Sequence, residues 1–225
     1  GLFAVLLLVF SRAAGLSQGV EHYPIYLLTA VVLWTFFAET TSGGVMSLTS
    51  AADLLRRMRL PSLALPLAVV LKAGFNLVLN LLAVAVFVVA YGVEPRLGWL
   101  ELPLLAGFLA LFGGGLALVL GALYVRFRDV HQAWSVALQF LFFASPIVFV
   151  SSRYPEGLQQ VLDLSPLAVV FTQMRHALID PSAPSAAEAA GGAHMLVVPV
   201  AIVAAVLAAG IWLFRREAPR IAERL

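Results

Sequence analysis

Chemistry in this chain has few places to happen. The four histidines, His22, His131, His176 and His194, stand at the edges of apolar runs and lack metal-ligand spacing. There is no H-E-x-x-H, no phosphate loop ending in Lys-Ser/Thr and no G-x-S-x-G elbow. Gly113-Gly114-Gly115 lies in the middle of an apolar run and lacks that ending. The absence of Cys excludes disulfides and thiolate metal sites. One charged group, Arg153, Glu156, Asp163, Arg175 and His176 with Asp180 nearby, could act as a solvated face, as contacts to a polar substrate, or as the site of a membrane enzyme. The remaining polar residues lie within apolar runs. Glu39 is one. Lys72, Asn76 and Asn80 form a stripe at i, i+4 and i+8. Ionisable groups inside a span face a bundle interior or a water-filled cavity. Glu39 and Lys72 lie at similar distances from the break between their runs, which predicts that they approach each other directly or through water.

The runs that position these residues are hydrocarbon-soluble. Of 225 residues, 62% are apolar and 12% charged, half the charge of an ordinary soluble domain. The composition predicts an all-α, polytopic helical membrane protein of one domain with about six spans. Residues 2–16 read as part of a truncated first span. Others are expected over 25–48, 63–91, 102–125, 134–150 and 195–214. The fifth is interrupted by Ser145-Pro146, which predicts a kink. Gly113, Ala117 and Gly121 recur every four residues and predict close approach of another helix. Residues 155–179 are too short to span twice and read as an external amphipathic hairpin, its second helix capped by Ser165 with Pro166 at the first position. Leu167, Val170, Phe171, Met174 and Leu178 form its apolar face. Residues 180–192 read as a flexible connector, and 215–225 as a basic tail.

Between the second and third spans, Ser50 and Asp53 resemble a capping box. Leu54, Leu55 and Met58 share one helical face, with Arg56, Arg57 and Arg59 around it. This amphipathic segment, about 51–60, ends at Pro61. It suits docking of a soluble partner, or simply setting topology. Taken with Arg126, Arg128 and the tail, it places nine arginines on one side against four on the other, which makes this side cytoplasmic.

Four segments together resemble the membrane subunit of type-2 ABC exporters, in the branch that exports O-antigen, teichoic acid and related polysaccharides. They are Leu54-Leu55-Arg56-Arg57-Met58-Arg59-Leu60-Pro61 followed by Leu65-Pro66-Leu67, Tyr124-Val125-Arg126-Phe127-Arg128-Asp129-Val130, Ser145-Pro146-Ile147-Val148-Phe149, and Leu164-Ser165-Pro166-Leu167 with Arg175-His176-Ala177-Leu178-Ile179. The second carries an extra Arg-Phe, and Ser165 stands where Asn is common. The family's amphipathic start and complete first span are missing at the front.

The resemblance implies a homodimer in the bacterial cytoplasmic (inner) membrane, with a separate ATP-binding subunit docked on the coupling helix at Asp53–Arg59. That subunit would hold ATP and Mg, leaving this chain without a cofactor, a metal or a catalytic residue of its own. No nucleic acid partner is implied. The substrate would be a lipid-linked glycan threaded outward at the dimer interface. Arg126, Arg128 and Asp129 would form the cytoplasmic turn, and Pro155, Ser165, Pro166, Arg175 and His176 an external gate. By position, Trp34, Phe37, Phe140 and Phe143 are candidates to line the path, or else to pack the core. The alternatives are a type-2 exporter of a drug or lipid and, in another class, an integral-membrane glycan-lipid transferase.

Overall fold

The computed structural model describes residues 23–50, 64–90, 97–147 and 162–224, together with Gly92 and Gln159. The first predicted span, the amphipathic segment 51–60 and most of the first hairpin helix, including Pro155, lie outside the described residues. Helices α1 (Tyr23–Ser50) and α2 (Ala64–Ala90) come first. A 3-10 turn, Leu97–Leu100, leads into α3 (Glu101–Arg126), and α4 is Val130–Ala144. Helix α5 (Pro166–Leu178), the short α6 (Ala186–Ala189) and a second 3-10 turn (Ala193–Leu196) precede α7 (Val197–Arg224). No strand occurs among the described residues.

Among the described residues, four segments are long and apolar enough to cross a bilayer: Ile25–Ser47, Ala64–Val89, Leu97–Arg126 and Ala193–Glu217. Prolines punctuate their starts. Pro66, Pro103 and Pro199 each take the third position of a helix, where the missing N–H would have had no intrahelical partner. Helix α7 runs past Phe214 to Arg224, so Arg215 and Arg216 extend the last span as helix rather than opening a separate tail.

The predicted fifth span is described as far as Ile147, and 148–150 lie outside the described residues. Helix α4 has 15 residues, about 22 Å at 1.5 Å per residue, against roughly 30 Å of hydrocarbon. The helix stops at Ala144, at the predicted Ser145-Pro146 interruption. Ser145 is extended (φ −86°, ψ 150°), as the residue before a proline prefers, and its N–H closes the last turn on Leu141 O. The buried Tyr26 hydroxyl then donates to the carbonyl of Pro146, tying this stop to α1.

Helix α1 is the centre of the bundle, with α2, α3 and α4 around it. Helix α3 carries α1 on one side and α7 on the other. The spacing of Gly113, Ala117 and Gly121 does what it predicts. A Cβ on Gly44 of α1 would lie 2.2 Å from the Ala117 Cβ, and one on Gly121 would lie 2.9 Å from the Gly44 carbonyl oxygen. The α3–α7 seam uses the same device, since a Cβ on Gly210 would meet the Gly115 carbonyl oxygen at 2.6 Å. Without water to drive apolar burial, backbone approach of this kind is what holds membrane helices together.

Candidate functional site

Helix α1 buries most of its circumference but leaves one arc open between α2 and α4. Thr35, Glu39, Ser42 and Met46 lie on it at i, i+4, i+7 and i+11. Three of the four are polar. From α2, Asn76 and Asn80 come to the same groove. The Asn76 amide Nδ2 donates to Glu39 Oε2 at 3.0 Å. This corrects the direct Glu39–Lys72 pairing: the carboxylate takes Asn76, one turn beyond Lys72. No Glu39–Lys72 ion pair within 4 Å occurs among the described residues. Lys72 itself is exposed on the same flank of α2.

The groove runs well inside the hydrocarbon zone. Asn76 is 12 positions into α2, about 18 Å at the helical rise. A carboxylate, two amides and two hydroxyls on the outer surface of a helix pair at that depth require water or a polar partner against them. Thr40 and Thr41, next in sequence, do not contribute. Both are fully buried, Thr41 bonding back to Phe37 O at 2.9 Å and Thr40 packing where Gly113 leaves room.

The other wall is aromatic. Trp34 packs on Phe37 (5.6 Å between ring centroids) and edge-on against Phe142 of α4 (5.5 Å), while Phe37 stacks on Phe112 of α3 (5.6 Å). Phe37 has no exposed surface and belongs to the core in this conformation, which corrects its candidacy for the path. Trp34 is half-buried at the groove edge. Phe140 and Phe143 are 73% and 63% exposed on α4, turned toward whatever covers that face.

At one end of the bundle, Tyr124 to Val130 forms a tight basic turn. The Arg126 guanidinium lies over Phe127 (5.6 Å) and that of Arg128 over Tyr124 (5.2 Å), with His131 edge-on to Tyr124. Phe127 breaks the helix in an extended conformation, and Asp129 stands at the N-cap position of α4 without a side-chain cap bond.

At the other end, Ser165 caps α5 by accepting from Ala168 N (3.1 Å), with Pro166 at the first position. The apolar face predicted for α5 is buried throughout. Residues 180–192 are more ordered than a flexible connector. Asp180 Oδ1 accepts from both the backbone and the hydroxyl of Ser182 (3.0 and 2.5 Å), and Arg175 Nη2 lies 3.7 Å from Oδ2. The Ser182 hydroxyl first, then its backbone N–H and Arg175, hold the Asp180 carboxyl below its ordinary value despite partial burial. Ser185 and Glu188 form a reciprocal capping box that starts α6. Gln173 spans the pieces, donating to Glu101 Oε2 (2.7 Å) and accepting from Ala186 N (2.9 Å). His176 Nδ1 donates to Ala183 O (2.7 Å), which ties the ring to the loop. Among the described residues no His/Asp/Glu group could hold a metal ion.

Thr35, Ser42 and the Asn76–Glu39 bond were not singled out from the sequence. The signal was present in the spacing Thr35–Glu39–Ser42, which marks one helical face, whereas the adjacent cluster Thr40-Thr41 points away from it.

A family model described as ABC-2 type transporter matches residues 2–179. Two O-antigen export system permease proteins RfbA of Klebsiella pneumoniae are 26% and 25% identical to the chain over 157 residues. A third RfbA, of Myxococcus xanthus, is 28% identical over 159 residues. These alignments take in 69–70% of the chain and 61% of each relative, so the chain matches under two thirds of their length.

Proposed function

The chain belongs to the ABC-2 type transporter family, and from that premise we propose that it is the membrane subunit of an ATP-driven exporter of a lipid-linked polysaccharide. Two copies face each other across the α1 groove. A separate ATP-binding subunit, holding ATP and Mg, docks on residues 51–60 at the cytoplasmic face of a bacterial inner membrane. The observation that carries this reading is the polar arc of Thr35, Glu39, Ser42, Asn76 and Asn80. A polymer that must slide needs hydrogen-bonding groups for hydroxyls and flat rings for sugar faces, and Trp34, Phe140 and Phe143 supply the rings. Relatives named as O-antigen export permeases favour a glycan over a drug or lipid, whose apolar body would gain nothing from a carboxylate and two amides.

Force enters at 51–60. Arg56, Arg57 and Arg59 attract the partner, while Leu54, Leu55 and Met58 fill its groove. Arg175, His176, Ser165 and Pro166 belong to the outer gate.

The test is reconstitution of the full-length chain with its ATP-binding subunit. Lipid-linked glycan should stimulate ATP hydrolysis. Glu39→Leu with Asn76→Leu should cut export at least about tenfold, since hydrogen bonds to a charged group are worth roughly 1.5–3 kcal/mol, while leaving the complex assembled. Arg56→Glu with Arg57→Glu should instead uncouple ATPase from export or prevent assembly. Stimulation by an apolar drug alone, with export indifferent to the Glu39/Asn76 change, would sink the glycan reading.

A further inference from the structure

On the flank of α2 away from Asn76 lies a second groove, of opposite character, and we infer that it holds one acyl chain of an anionic phospholipid whose phosphate rests on Arg215. The groove has a volume of about 330 Å³. Leu67 and Val70 of α2 form one wall, Leu207 and Ile211 of α7 the other, and Gly114 and Leu118 of α3 the floor. Gly114 keeps that floor low, since Val70 Cγ2 already stands 3.5 Å from where its Cβ would be. Towards the Arg126 end, Leu118 and Phe214 pack with Leu65 and Val125 and close the floor.

Charge identifies the occupant. Along α7, Leu207, Ile211 and Arg215 follow at four-residue intervals on one side of the helix, two apolar groups and then an exposed cation at the membrane edge. That order, hydrocarbon inside and positive charge at the rim, complements a phospholipid of the leaflet on the arginine-rich side. The lining is apolar throughout, which suits hydrocarbon, and the exposed Arg215 beyond it calls for a negative group, which a phospholipid headgroup brings and the apolar face of a second copy's helix does not. Apart from the groove, the buried face of α2 rests on α1 through Ala73, Leu77, Val84 and Val88. The lipid therefore braces α2 against α7.

Native mass spectrometry of the full-length chain in neutral detergent tests this, with dioleoyl phosphatidylglycerol or dioleoyl phosphatidylcholine added. The wild type should retain the anionic lipid about fivefold better, the worth of one arginine at an anionic headgroup. Arg215→Gln should erase that preference. Arg216→Gln should keep it, because Arg216 faces away and lies over Trp212. Gly114→Leu, filling the floor, should release both lipids. Arg215→Gln is a surface change that leaves packing intact, so it decides the matter even if Gly114→Leu fails to fold. Equal retention of the two lipids by the wild type, an undiminished preference in Arg215→Gln, or no retained lipid at all would overturn the assignment, the last leaving the groove to polypeptide.

Discussion

Gly44→Ala is the sharpest perturbation the bundle offers, because a single methyl group meets backbone. Its carbon would stand 2.2 Å from Ala117 Cβ and 2.7 Å from Ala117 Cα. Carbon atoms pack at about 3.5–4.0 Å, so α1 and α3 must separate by roughly 1.5 Å at their closest point. Overpacking typically costs about 1–3 kcal/mol, and backbone on the far side puts this case at the upper end, near 3 kcal/mol. Gly74→Ala in α2 is the internal control, since nothing lies within 4 Å of its added Cβ. Both changes gain about the same intrinsic helix propensity, up to about 1 kcal/mol, so the difference between them isolates the clash. Reversible unfolding of the full-length chain in mixed micelles should therefore separate the two by about 3 kcal/mol, more than a hundredfold in the folding equilibrium. Ala117→Gly should rescue Gly44→Ala only in part, because the backbone carbon of residue 117 would still stand 2.7 Å from the added methyl. Equal stability of Gly44→Ala and Gly74→Ala would refute the close α1–α3 seam.

Two further outcomes concern the α5 end of the bundle. Ser165→Ala removes the bond from Ala168 N and should cost about 1 kcal/mol, read by unfolding, with Ser165→Asp preserving the cap. Asp180 has a depressed pKa in the folded chain, so its contribution is complete above the unfolded carboxyl value near 3.9 and is lost as pH falls through the lower folded value. The protection factors of the amides in residues 180–183, that is their exchange relative to the intrinsic rate at each pH, should stay constant from neutral pH down to about 4 and fall only below it, whereas Asp180→Ala should lower them across the whole range.

What the sequence revealed depended on whether a pattern was local. Apolar length set the spans near 25–48, 63–91 and 102–125, because hydrocarbon thickness leaves little choice. Ser165-Pro166 announced α5, because a cap and a first-turn proline act within one turn. Gly113, Ala117 and Gly121 announced a seam but not its partner, which is the Thr40–Gly44 stretch of α1. Glu39 was legible as an intramembrane charge. Its partner was not, because depth places both Lys72 and Asn76 within reach, and only the rotation of α2 about its axis chooses between them. The rotation of α1 about its own axis likewise separates Phe37, turned into the core, from the half-exposed Trp34 three positions earlier. The interruption at Ser145-Pro146 was legible, and α4 stops there. The Tyr26 hydroxyl on the Pro146 carbonyl, a bond across 120 residues, accompanies the stop.

The helices on either side of residues 51–63 are not mechanical equals. Along its apolar span α1 is 72% buried, and α2 only 17%. Helix α1 is an anchored post, sealed to α3 through Gly44 and to the Ser145-Pro146 stop through Tyr26. Helix α2 is a boom hinged along one edge. If a partner subunit pushes between them as proposed, the load falls first on the less buried α2, and the Glu39–Asn76 hydrogen bond is the contact that such a movement would have to break.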